Sequence, residues 1–260
     1  MERARAESLV IPAVRARILI ALALVGVLAG CQESGFDESK ETARPLKVQH
    51  ALDPLTGTKV PGQAERPMTL TADALGDTLA LRVKPVRAAL PHARVPAYLR
   101  SAARGVEVVA PIGKLDLPAT EAAAPDLILG SKEGQGDLYD ELSKIAPTVI
   151  SEGDDWKLTL RLHGEALGRT NDAEKLLIDW DNRLARVKDA LGGRDVSVLL
   201  IRPNDAPASP GPVGKMVLTD LGIRSGGGGR HVLRIENGPE WSDGGLLGAR
   251  AALADVEGAL

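Results

Sequence analysis

The chain is poor in the residues that most often carry chemistry. Among 260 residues there is one cysteine, there are four histidines, and aromatic side chains make up 2%: three Trp, two Tyr and one Phe. A single cysteine excludes disulfides and thiolate metal clusters within the chain. His50, His92, His163 and His231 are dispersed and none shows H-x-x-x-H spacing, so no metal site is expected. No G-x-S-x-G elbow occurs. The segment Gly211-Pro212-Val213-Gly214-Lys215-Met216 lacks the length and the Ser/Thr of a phosphate-binding loop. With no nucleophile–base pair and no metal constellation, an enzyme is not expected. No basic block stands out, which argues against a nucleic-acid partner. The cores must be built from Leu, Val, Ile and Ala, and each aromatic has to be weighed singly.

What the chain does have begins at its N-terminus. Arg3, Arg5, Arg15 and Arg17 precede an apolar run over 18–28, too short for a membrane span of ~20 residues but suited to a signal peptide over 1–30. The run ends in Leu28-Ala29-Gly30-Cys31, which resembles the lipobox of bacterial lipoproteins. That resemblance implies lipidation of Cys31, anchorage to the bilayer and an extracytoplasmic location on the cell membrane. Residues 31–47 are polar and without periodicity, and read as a flexible tether. Removing 1–30 takes four arginines and two glutamates, so 32 − 4 = 28 basic and 35 − 2 = 33 acidic residues remain, a net charge of −5.

From residue 48 onward short apolar runs alternate with helical ones, the pattern of an α/β fold with a parallel sheet. Strands are expected at 68–70, 83–89, 106–109, 127–129 and 148–150, with helices at 72–81, 96–103, 119–124, 137–145 and 156–167. Residues 161–192 read as one long helix. Asn171 is its expected cap with Glu174 completing a capping box, and Gly192-Gly193 its stop. Ala173, Leu176, Leu177, Trp180, Leu184, Val187 and Leu191 form one apolar stripe along it. Beyond it come a strand at 196–201, a helix at 214–221 and a strand at 232–235. The expected architecture is therefore two Rossmann-like lobes, 48–169 and 193–260, joined by a single linking helix over 170–192. The second lobe is short and incomplete.

Several stretches resemble the substrate-binding lipoproteins of bacterial iron–siderophore ABC importers. The clearest are Pro125-Asp126-Leu127-Ile128 and Tyr139-Asp140-Glu141-Leu142-Ser143-Lys144-Ile145-Ala146-Pro147-Thr148-Val149. Upstream, Gly57-Thr58-Lys59-Val60-Pro61 is similar to the family's opening strand, and Leu79–Val86 to its "ALGVKPV" turn, with Arg82 in place of the usual glycine. Gly164-Glu165-Ala166-Leu167-Gly168 and Leu218-Thr219-Asp220-Leu221-Gly222 also match, whereas the likeness fades after Arg224. Ala254-Asp255-Val256 is similar to the start of a further family strand. A truncated or frameshifted product is one expectation that follows.

The resemblance implies a monomer that captures a ferric siderophore and presents it to an ABC permease, catalysing nothing and holding no cofactor. Haem or a corrinoid is the runner-up ligand, and a degenerate lipoprotein acting through protein contacts is the rival reading. An oxygen-rich, often anionic ferric complex calls for cations and flat aromatics. The candidates beyond the carboxyl ends of the strands are Lys132, Trp156 and Arg202, followed by Tyr139, Arg230 and Trp241. Trp156 can instead pack inward and Arg202 can be a solvated strand end. Asp137, Asp140 and Glu141 are candidates for docking onto the permease, or form a solvated helix face.

Overall fold

The computed structural model describes residues 44–109, 115–242 and 244–260. The expected signal peptide, Cys31 and most of the tether lie outside them. The tether ends earlier than its sequence suggests, because Leu46 and Lys47 already belong to β1 (Leu46–His50), which pairs antiparallel with β2 (Asp53–Val60). Val48 and Val60 face inward while their neighbours face water, an alternation too interrupted by Gly57 and charged residues to read as a hairpin.

The first sheet is five-stranded and wholly parallel. It contains β3 (Pro67–Thr69), β4 (Arg87–Ala89), β5 (Glu107–Val109), β6 (Leu127–Ser131) and β7 (Thr148–Ser151), in the order β5-β4-β3-β6-β7. Its interior strands β3 and β6 are buried on both faces, as parallel strands covered by helices must be. Those helices are α1 (Ala72–Ala80), α2 (Leu117–Ala122), α3 (Lys132–Gln135), α4 (Tyr139–Ile145) and α5 (Trp156–Ala166). The strand expected at 83–89 is shorter, beginning at Arg87. The chain turns instead at Arg82, whose φ of 61° is the left-handed conformation that explains a glycine elsewhere in the family. The helix expected at 96–103 is only a short 3-10 turn over Ala97–Leu99 after Pro96.

The long helix is broken. Gly168 adopts φ 69° against the backbone of Gly62, so α5 stops at Ala166 and α6 runs over Thr170–Leu191. Asn171 therefore lies inside α6 and caps nothing. The capping position belongs to Arg169, which makes no side-chain cap, and Glu174 pairs with Arg161 of α5 at 2.8 Å. The apolar stripe does face the core, with Trp180 almost wholly buried, and Gly192 closes α6 in the left-handed conformation.

A second, smaller sheet follows. In it β8 (Val196–Ile201) is flanked by parallel β11 (His231–Glu236) on one side and by β9 (Pro207–Ala208) and parallel β10 (Arg224–Ser225) on the other. Helix α7 (Pro212–Leu221) covers it. The segment around 254–258 is helical and not a strand. It lies in α8 (Gly245–Ala259), whose Leu246, Ala249, Ala252, Leu253 and Val256 recur at helical spacing on a buried face. Although α8 comes last in sequence, it packs against α1 as well as α5 and α7. One apolar cluster consequently runs from Leu127 and Val149 through Trp156 and Trp180 to Val198, Leu200, Trp241 and Val256.

Candidate functional site

The parallel first sheet aims the carboxyl ends of its strands at one place. There Ser131 ends β6 and caps α3, accepting from the Gly134 N–H at 3.2 Å, while Gln135 Oε1 accepts from the Ser131 N–H at 3.0 Å. Gly130 leaves room for that glutamine, since a Cβ would meet Gln135 Oε1 at 2.9 Å. Ser151 ends β7 beside it, donating to the Gly130 carbonyl at 3.2 Å. Asp155 caps α5 by accepting from the N–H groups of Lys157 and Leu158 at 2.9 and 3.2 Å. These turns wall a cavity of about 490 Å³.

Lys132, Glu133, Glu152, Gly153 and Asp154 rim the cavity, Trp156 and Thr159 form its side, and Asp73 contributes from the first turn of α1. Pro212 and Val213 at the start of α7, with Ser242, close it from the side of the second sheet. Lys132 reaches Glu152 at 2.6 Å, tying together the loops after β6 and β7. Trp156 is 3% exposed. Its ring meets Trp180 edge-on, with centroids 5.1 Å apart, so it anchors α5 to α6 while also bordering the cavity. Lys157 lies 5.7 Å over the same ring and pairs with Asp220 of α7 at 2.5 Å.

Behind the cavity lies a polar cluster that the sequence reading missed. Asp73 and Asp77, four residues apart on α1, receive the N-terminus of α8. Asp73 Oδ1 accepts from the N–H groups of Gly244 and Gly245, and Asp77 Oδ1 from Leu246 N–H at 3.1 Å. The other Asp77 oxygen meets His163 Nδ1 at 2.8 Å, with both side chains fully buried. Four otherwise unpaired amides at a helix start are a natural place for carboxylates. Burial, and then the neighbouring Asp77 charge, push the Asp73 carboxyl above the ordinary carboxylate range, against the pull of the two glycine amides. The available signal was an Asp at 77 within the otherwise apolar and small face of Ala74, Leu75 and Thr78.

Of the six candidate ligand residues, the fold brings only Lys132 and Trp156 to the cavity. Tyr139 opens α4 on another face, its hydroxyl 3.2 Å from Thr58 Oγ1 and its ring edge-on to His50, where it holds the β1–β2 hairpin. Trp241 is wholly buried and donates from Nε1 to Asp255 at 2.9 Å, so it is a core residue. Arg230 precedes β11 and therefore sits at the amino end of a parallel strand, away from the cavity, beside Asp195. Arg202 follows the carboxyl end of β8 but is exposed in the 202–206 turn, outside the cavity wall. Asp137, Asp140 and Glu141 are all exposed.

Residues 69–225 match the family model described as "Periplasmic binding protein". The chain belongs to that family. The match runs from the last residue of β3 to the end of β10 and thus takes in the described lining of the cavity, apart from Ser242. Among curated relatives of this periplasmic binding protein, the "Probable siderophore-binding lipoprotein YfiY" of Bacillus subtilis is 31% identical over 181 residues, 67% of this chain and 55% of that protein. The "Putative ABC transporter substrate-binding lipoprotein YhfQ" of the same organism is 28% identical, over 71% of this chain and 58% of that protein. The matches thus span little more than half the length of these relatives. Among solved structures, Staphylococcus aureus SirA complexed with staphyloferrin B superposes with a TM-score of 0.61 at 26% identity, covering 81% of this chain and 82% of that one.

Proposed function

We propose that this protein captures a ferric siderophore in the cavity at the ends of β6 and β7 and delivers it to an ABC permease without chemically changing it. The observation carrying this reading is the cavity itself. Its volume suits a small chelate, it sits beyond the carboxyl ends of a parallel sheet, and it brings the aromatic Trp156 together with charged side chains. The names of YfiY and of the SirA–staphyloferrin B complex support the same ligand class. Cys31 would carry the lipid that holds the protein at the outer side of the cell membrane, and Asp137, Asp140 and Glu141 would face the permease. The protein would work as a monomer, with 48–169 and 193–260 as lobes on either side of the 170–192 helix.

The test is a tryptophan-fluorescence titration of the full-length chain in detergent with ferric siderophores, their iron-free forms and haem, joined to a thermal melt. Saturable quenching by a ferric complex, with a melt raised by ~2.7 kcal/mol of stabilisation at a hundredfold its Kd, is the expected result. Exchanging Trp156 for Leu should weaken both signals. Saturation by haem alone would replace the ligand class, and no saturation by any compound would refute capture.

A further inference from the structure

An anionic ferric complex calls for cations at the site, yet this cavity is acidic. Among the described residues four carboxylates border it, those of Asp73, Glu133, Glu152 and Asp154, against one ammonium, that of Lys132. Lys132 is already bound to Glu152 at 2.6 Å, so among the described residues the rim offers no unpaired cation. Lys157 nearby is committed to Asp220. Even with Asp73 protonated, Glu133 and Asp154 remain as unbalanced exposed acids at the mouth. The apolar Pro212, Val213 and Trp156 beside them reduce the screening that water would supply.

We infer that the cavity selects ferric complexes that are neutral or carry a cationic group, and rejects strongly anionic ones. The inference rests on the capture reading above and names its substrate class. Three hydroxamates each bring one negative charge and cancel the ferric ion, and a pendant amine makes the complex cationic. Three catecholates each bring two negative charges and leave a trianion, which would meet the acids at the mouth with no free cation among the described residues to balance it.

The experiment compares three probes on the full-length chain: a linear ferric trihydroxamate with a free primary amine, its N-acetylated neutral form, and a ferric tris-catecholate. Fluorescence quenching gives each Kd at low and high salt. The expected order is cationic tightest, by roughly fivefold over neutral, with the trianion weaker than neutral by about tenfold or more. Rising salt should narrow both gaps. In a Glu133→Gln/Asp154→Asn double variant the preference for the amine-bearing probe should fall towards unity. A trianion that binds as tightly as the neutral complex overturns the inference and leaves capture standing, as does an unchanged ratio in a double variant that still melts like the parent. Failure of all three probes overturns capture itself, and the charge selection with it.

Discussion

The two sheets differ in how completely they are enclosed. Strands β6 and β7 are buried along nearly their whole length, whereas β11 is exposed at all but Leu233 and Ile235, and β10 is fully exposed. The first sheet is held by its own helices. The second depends on borrowed contacts: Trp241 and Asp255 stitch the connection before α8 to that helix, and α8 reaches across to α1. A small sheet with few covering helices buries too little apolar surface to stand alone, and here it gains stability by sharing the core of its neighbour. The cavity lies where that sharing occurs, with a floor from the strand ends of the first sheet and a wall from the side of the second.

Cutting the shared contact should have the largest effect. Asp77→Ala leaves the Leu246 amide and His163 without their buried partner, and should cost about 3–5 kcal/mol by urea unfolding. A loss under about 1 kcal/mol would show that α8 is not held this way. Gly76→Ala tests the same junction sterically, since the new Cβ would stand 2.5 Å from the Gly244 carbonyl oxygen. Overpacking there should lower stability by roughly 2 kcal/mol, despite the better helix propensity of alanine. Within the first region the comparison sharpens in the other direction. Arg82→Gly relieves a left-handed arginine and should raise stability by about 1 kcal/mol, readable as a higher melting temperature.

The smallest effect is a change of shape with pH. Because the folded-state pKa of Asp73 is raised, its contribution favours the folded state fully below the unfolded value of ~3.9 and is lost as pH rises through the folded value. Asp73→Asn keeps an acceptor for the glycine amides but cannot ionise. The stability of the variant relative to the parent should therefore rise with pH from about 4 upward and level off above the raised folded-state value. A difference that is flat across that window would mean that Asp73 does not titrate there.

Much of this was legible in residues. The parallel strands, the α6 stripe with Trp180, and the Gly192 stop follow from periodicity and from end signals that depend on local physics alone. Lys132 and Trp156 could be placed because strand ends in such sheets converge. Other features depended on distant partners. Nothing near Gly168 in sequence says that it must turn against Gly62, and α8 is a helix because α1, α5 and α7 offer it an apolar face. Trp241 looked available for a ligand because its hydrogen-bond partner is fourteen residues away, one helix later. The acidity of the cavity was hidden for the same reason, since Asp73 and Asp154 come together only after folding.

The docking of α8 onto α1 also has a consequence in time. Asp73 and Gly244 are 171 residues apart, so the hydrogen bonds that seal this corner cannot form until residues 244–245 are free to reach α1. Until then the two α1 carboxylates lack the amides that hold them in the folded protein. Closure of so long a loop is entropically expensive and slow. The contact that is longest in sequence is thereby also the one that completes the back of the cavity, and a chain interrupted before residue 244 would present the strand-end turns without the helix that locks Asp73 in place.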